Sequence, residues 1–147
     1  MGSRPQTGSL TLSLDGTKAY GMAWGGGSQG KGTVFMVSLG GSRSIITVIH
    51  NFTGADGAFP YGSVSLSPDG KTLYGMTWQG GKYNNGVVFS LNIASGAYRV
   101  RYTFRGSKTD GGYPIGSIAI TQGGKTLLGT TTTGGLLGAG TLFKIRV

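Results

Sequence analysis

The stretch Thr72-Leu73-Tyr74-Gly75-Met76-Thr77-Trp78-Gln79-Gly80-Gly81, with Gly86-Val87-Val88-Phe89 just beyond it, decides the fold. Its glycines return at a fixed interval. Gly75 is matched by Gly21 and Gly129, Gly80 by Gly26 and Gly134, and Gly86 by Gly32 and Gly140, each 54 residues apart. Phe89 is matched at the same interval by Phe35 and Phe143. Further out, Gly8-Ser9-Leu10, Gly62-Ser63-Val64 and Gly116-Ser117-Ile118 keep the spacing, as do Gly16, Gly70 and Gly124. Five glycine columns and one aromatic column do not coincide across three copies by chance. The chain is a tandem repeat.

Within one copy the pattern is β throughout. Ser63 to Ser67 alternates with period two and ends at Pro68-Asp69-Gly70-Lys71, a turn. Thr72 to Trp78 is a second strand; Gly75 in its middle implies a close approach of neighbouring backbones or a bulge. Val87 to Ile93 places Val87, Phe89, Leu91 and Ile93 on one face, and Ala94-Ser95-Gly96 turns it. Tyr98 to Phe104 sets Tyr98, Val100, Tyr102 and Phe104 inward and Arg99 and Arg101 outward. No segment offers a helical period with caps. Four short antiparallel strands per repeat is the pattern of a β-propeller blade. The third copy ends after Thr141-Leu142-Phe143-Lys144-Ile145-Arg146-Val147, its third strand. The expectation is an all-β, partial β-propeller of about three four-stranded blades: residues 8–54, 62–106 and an incomplete 116–147. Residues 1–7 read as a tag or linker remnant without a β segment.

Composition narrows the chemistry. The chain has 147 residues, enough for one domain, with 31 glycines and only 12% charged residues, so long helices and coiled coils are not expected. It has no cysteine, which removes disulfides, thiolate metal sites and cysteine nucleophiles together. There is no glutamate, and the acids are Asp15, Asp56, Asp69 and Asp110, with His50 the single histidine. Material for acid–base catalysis is scarce. The net charge of +9 favours acidic partners, but the basic residues are scattered, so the charge reads as solubility and nucleic acid is not the expected partner. No apolar run is long enough to cross a membrane as a helix, and no membrane partner is expected. Met1-Gly2-Ser3-Arg4 is not a signal peptide.

The repeat resembles the bacterial GloVer-type tandem repeat, whose core runs roughly L-Y-G-T-T, G-G, G-T-V-F-x-L. That core stands here as Leu73-Tyr74-Gly75-Met76-Thr77, Gly80-Gly81 and Gly86-Val87-Val88-Phe89-Ser90-Leu91. It returns as Leu127-Leu128-Gly129-Thr130-Thr131, Gly134-Gly135 and Gly140-Thr141-Leu142-Phe143-Lys144-Ile145. The linking pattern matches Asn51-Phe52-Thr53-Gly54, Asp56-Gly57 and Pro60. The resemblance implies a propeller-like blade in a secreted or cell-surface bacterial protein and brings no catalytic residues with it.

An arc of three blades leaves an apolar face at each end, and two such chains would close a six-bladed ring; a homodimer is the expected assembly. The face holding the loops between successive blades and between second and third strands is the expected site. It would carry Trp24 and Trp78 with Gln29, Tyr83, Asn84 and Asn85, a set suited to a small molecule or glycan: rings meet sugar C–H faces and amides bond hydroxyls. As a plain alternative, the tryptophans plug the gap between blades. Asp56 and Asp110 read first as Asp-Gly turns. In a hydrolase of activated esters such as lactones or phosphotriesters, they would hold a divalent metal ion or polarise water, with His50 as a base. His50 shares a parity with Val48 and Phe52, which equally suits a packed histidine between blades. Arg99 and Arg101, with Arg43 and Lys108 elsewhere, offer an anionic contact at the outer edge or protection of an edge strand. A third reading is a scaffold whose only property is assembly.

Overall fold

The Asp15-Gly16, Asp69-Gly70 and Ser95-Gly96 turns each join two paired strands. The computed structural model describes residues 2–3, 8–121 and 123–147. The strands in order are β1 (Gly2–Ser3), β2 (Thr11–Leu12), β3 (Lys18–Ala23), β4 (Gly25–Gly26), β5 (Thr33–Ser38), β6 (Ile45–Asn51), β7 (Ala58–Pro60), β8 (Ser65–Leu66), β9 (Thr72–Gln79), β10 (Val87–Asn92), β11 (Tyr98–Thr103), β12 (Gly111–Ile120), β13 (Thr126–Gly134) and β14 (Leu142–Arg146). The described residues contain no helix. Three antiparallel sheets carry the repeats: β2-β3-β5-β6, β7/β8-β9-β10-β11 and β12-β13-β14. Their widths are four, four and three, because β7 and β8 share one position beside β9.

Most of the segment assigned to a tag, Met1 and residues 4–7, lies outside the described residues. Its Gly2–Ser3 pairs with Gly25–Gly26. The segment between the expected first and second blades contributes a strand of its own. Ala58 and Pro60 pair with Gln79 and Thr77, extending the innermost strand upstream of Ser63. In the third sheet the same stretch is one strand, Gly111–Ile120, with an irregularity between Ile115 and Ala119.

Two apolar seams join the sheets. Tyr20, Met22, Val34 and Phe52 meet Val64, Leu73, Phe89 and Leu91 between the first and middle sheets. Tyr74, Met76, Val88 and Phe104 meet Ile118 and Leu127 between the middle and third. The innermost strands touch through polar groups: Ser9 N donates to Ser63 Oγ (2.6 Å), Thr11 Oγ1 to the Val64 carbonyl (2.5 Å) and Gly116 N to the Tyr61 carbonyl (3.0 Å). Here the first glycine column has its reason. A Cβ on Gly62 would lie 2.0 Å from the Gly116 carbonyl oxygen, and Gly62 has φ +130°.

Two sequence expectations need correction. Gly75 is not at a bulge or a backbone contact: it pairs with Phe89, whose ring lies across it, and a Cβ there would sit 2.4 Å from Phe89 Cζ. Gly21 with Phe35 and Gly129 with Phe143 repeat the arrangement. The outer strand does not keep one parity. The register slips between Val88 and Phe89, making Arg101 an extra residue, so Tyr102 pairs with Val88 while Val100 pairs with Phe89. Tyr98 therefore packs at the first seam and Phe104 at the second. The same slip in β6 leaves His50 beside Val34 and turns Val48 to the other face.

Candidate functional site

Where the ends of β3 and β9 meet the innermost strands, two repeat-related pairs converge. Trp24 and Trp78, with Tyr61 and Ile115, line an apolar cleft of about 300 Å³. Both pairs are one repeat apart, so the cleft straddles copies of the same position. Each indole is backed by a second aromatic ring. Trp24 stacks on Phe59 with centroids 4.6 Å apart, and Trp78 lies 5.5 Å from Tyr113.

Phe59 and Tyr113 adopt φ of 54° and 52°, a left-handed backbone that bulky residues rarely enter. Such a conformation costs on the order of 1–3 kcal/mol and persists where the surroundings over-determine it. Phe59 N donates to the Lys31 carbonyl at 2.7 Å, and Tyr113 N donates to the Asn85 carbonyl at 2.8 Å, again one repeat apart. The Lys31 ammonium stands 5.1 Å over the Phe59 ring. Thr132, which replaces the tryptophan in the third copy, donates its hydroxyl to the Tyr113 carbonyl at 2.8 Å.

The amides expected beside the tryptophans hold the loop instead. Asn84 Oδ1 accepts from Gly80 N at 3.0 Å, and Asn85 Nδ2 donates to the Arg105 carbonyl at 2.9 Å. Tyr83 is 40% exposed and sits between Lys82 and Arg105, whose charges lie 5.4 and 5.6 Å from its ring. Gln29 is exposed in the loop after β4. None of the four lines the cleft. Tyr61, Ile115, Phe59 and Tyr113 escaped the sequence reading, although their spacing was the available signal.

His50 and Asp56 do come together, with Nε2 and Oδ2 3.1 Å apart. Their environment is a packed joint. The imidazole stacks on Tyr98 at 3.9 Å and meets the edge of Phe52 at 4.9 Å. Burial holds His50 below its ordinary pKa, against the opposing charge and hydrogen bond of Asp56. Burial, with the Asp56 charge second, pushes the Tyr98 phenol far up, and its hydroxyl donates to the Asp56 carbonyl at 2.6 Å. One repeat on, Tyr102 and Asp110 stand in these places: Tyr102 meets the edge of Phe104, and burial first, then a hydrogen bond with Asp110, raises the Tyr102 phenol.

Both carboxylates are otherwise committed to their own loops. Asp56 Oδ1 accepts from Thr53 N (2.8 Å) and Thr53 Oγ1 (2.9 Å). Asp110 accepts from Arg105 N and Gly111 N, both at 2.8 Å. Among the described residues no three His, Asp, Glu or Cys side chains gather as metal ligands. The Asp15 and Asp69 hairpins are turn chemistry. Hydrogen bonds from the Ser13 hydroxyl, then Thr17, bring Asp15 to about 2, and the Ser67 hydroxyl lowers Asp69.

Twisted antiparallel sheets stacked about glycine-lined inner strands define a propeller-like β protein. The chain belongs to the Gloeobacter/Verrucomicrobia repeat family, whose model matches residues 1–147. Among curated proteins, none matches the sequence. Solved structures share the fold. TolB from Acinetobacter baumannii superposes with a TM-score of 0.61 at 18% identity, over 94% of this chain and 29% of that one. A putative TolB from Agrobacterium tumefaciens gives 0.58 at 16%, over 95% and 45%. A putative 6-phosphogluconolactonase from Bacteroides uniformis gives 0.54 at 24%, over 94% and 40%. The chain thus spans less than half the length of each.

Proposed function

We propose that the chain is a binding module of an oligomeric propeller, taking a small molecule or glycan in the cleft between Trp24 and Trp78. The observation that carries this reading is the paired convergence itself. Two indoles from successive repeats face one apolar cleft, and each is backed by an aromatic residue held in a costly backbone conformation. Rings fixed in advance lose little entropy when a ligand stacks on them. A volume near 300 Å³ lies at the small end of ligand sites and suits one or two sugar rings. In the same reading two chains complete a six-bladed ring, covering Leu10, Leu12 and Ile46, each more than half exposed on the first sheet.

Both tryptophans of the chain line the cleft, so intrinsic fluorescence reports directly on it. Glycans chosen by array screening should shift that emission saturably. Trp78→Ala should weaken binding at least about tenfold, which corresponds to roughly 1.4 kcal/mol, and Asp110→Asn should leave it nearly unchanged. Light scattering should return twice the chain mass. Ester turnover that needs added metal and vanishes in Asp110→Asn, with no glycan response, would overturn the reading in favour of a hydrolase.

A further inference from the structure

The outer part of the middle sheet departs from its repeat partner in one place. In the first sheet Met36 pairs with Thr47, Ile49 is the extra residue of the β6 slip, and Met36 and Ile49 pack onto the first seam. One repeat later Ser90 replaces Met36, Arg99 pairs with it as Thr47 does with Met36, and Arg101 takes the place of Ile49. An apolar seam thus becomes a largely polar cleft of about 320 Å³, lined by Thr72, Ser90, Asn92, Ser95, Arg99 and Arg101 with Ala97 as its one apolar residue.

Arg99 and Arg101, two residues apart, share one side of β11 by alternation, and the slip leaves Arg101 with no residue opposite it. Arg101 Nε donates to Ser90 Oγ at 2.7 Å, and Ser90 is only 3% exposed. That bond fixes the guanidinium by its inner nitrogen and leaves its terminal N–H fork for another acceptor. The Asn92 carboxamide oxygen already accepts from Ala94 N, Ser95 N and Ser95 Oγ. No acid lines the cleft. What the cleft offers is donors and positive charge.

We propose that this cleft binds a tetrahedral oxyanion, the phosphate or sulfate group of an ester, with Arg101 as the bidentate ligand and Arg99 as the second cation. It is separate from the tryptophan cleft, shares no lining residue with it and stands whether or not that cleft takes sugars.

Inorganic phosphate and inorganic sulfate are the probes, followed by amide chemical shifts across β10 and β11. Saturable shifts centred on Ser90 and residues 99–101 are expected with at least one of them, and which anion binds more tightly identifies the ester. Arg99→Gln/Arg101→Gln, on the exposed edge, should weaken binding at least tenfold. Ser90→Met, which restores the residue of the first repeat, should do the same while both charges remain. Arg43→Gln/Lys108→Gln removes equal charge elsewhere and should leave binding unchanged. No saturable response to either anion overturns the proposal, as does an equal loss in the Arg43/Lys108 control or undiminished binding in both cleft variants.

Discussion

Replacing Phe89 with Ala tests how the sheets are held. The ring is fully buried, 5.5 Å edge-on to Phe52 and 5.3 Å from Tyr98, and lies across Gly75. Truncating a buried Phe costs about 3–5 kcal/mol. Two aromatic neighbours, each adding roughly 0.5–1.5 kcal/mol beyond area, and a glycine that cannot fill the void place the loss near about 4–5 kcal/mol. That is from about a third to nearly all of a typical stability of about 5–15 kcal/mol. The sharper test adds Gly75→Ala. In the parent its methyl would stand 2.4 Å from Phe89 Cζ, an overpacking costing about 1–3 kcal/mol. In the Phe89→Ala background the same methyl enters vacated space, so its cost should vanish or reverse. The coupling in a double-mutant cycle should reach about 2 kcal/mol, read from urea unfolding at constant m. Additivity within about 0.5 kcal/mol would refute the ring-over-glycine account.

His50 gives a pH window. Its folded pKa lies below the ordinary value near 6.5, so its contribution is complete above that pH and is lost as pH falls through it. The melting temperature should therefore drop from pH 7.5 to pH 5 in the parent and much less in His50→Phe, which keeps a ring against Tyr98; equal slopes would refute it. Gly62→Ala should abolish cooperative folding because its Cβ meets the Gly116 carbonyl. Gly30→Ala, with φ +67° and open space around it, should cost about 1–2 kcal/mol, and the reverse order in thermal melts would contradict the account.

The 54-residue interval made the sheets legible because a Phe ring and the glycine beneath it must travel together; the columns at Gly75 and Phe89 are two halves of one contact. Period-two reading failed at Arg101 and Ile49, since nothing local marks a slipped register and the decision rests with the partner strand. It failed again at Ala58–Pro60, a pairing too short to show alternation. The tryptophans were legible as a column, whereas their neighbours depended on the left-handed backbone of Phe59 and Tyr113. An aromatic residue gives no local warning of that conformation; only the tertiary bonds to Lys31 and Asn85 impose it. His50 drew attention as the single histidine, yet a tyrosine holds the corresponding place one repeat later.

Among the described residues, hydrogen bonds and ring contacts reach little further than one repeat along the chain; Gly116 to Tyr61 is among the longest. A nascent chain can therefore assemble in the order in which it leaves the ribosome. His50 waits for Tyr98, and the second seam waits for the last strand, with Phe143 and Ile145, and for Val147 just beyond it. Each finished seam lowers the entropy cost of the next, as in other one-dimensional arrays. Duplicating the unit lengthens such a protein without lengthening the search that any one segment must make, so a gene of this kind can grow by copying without becoming harder to fold.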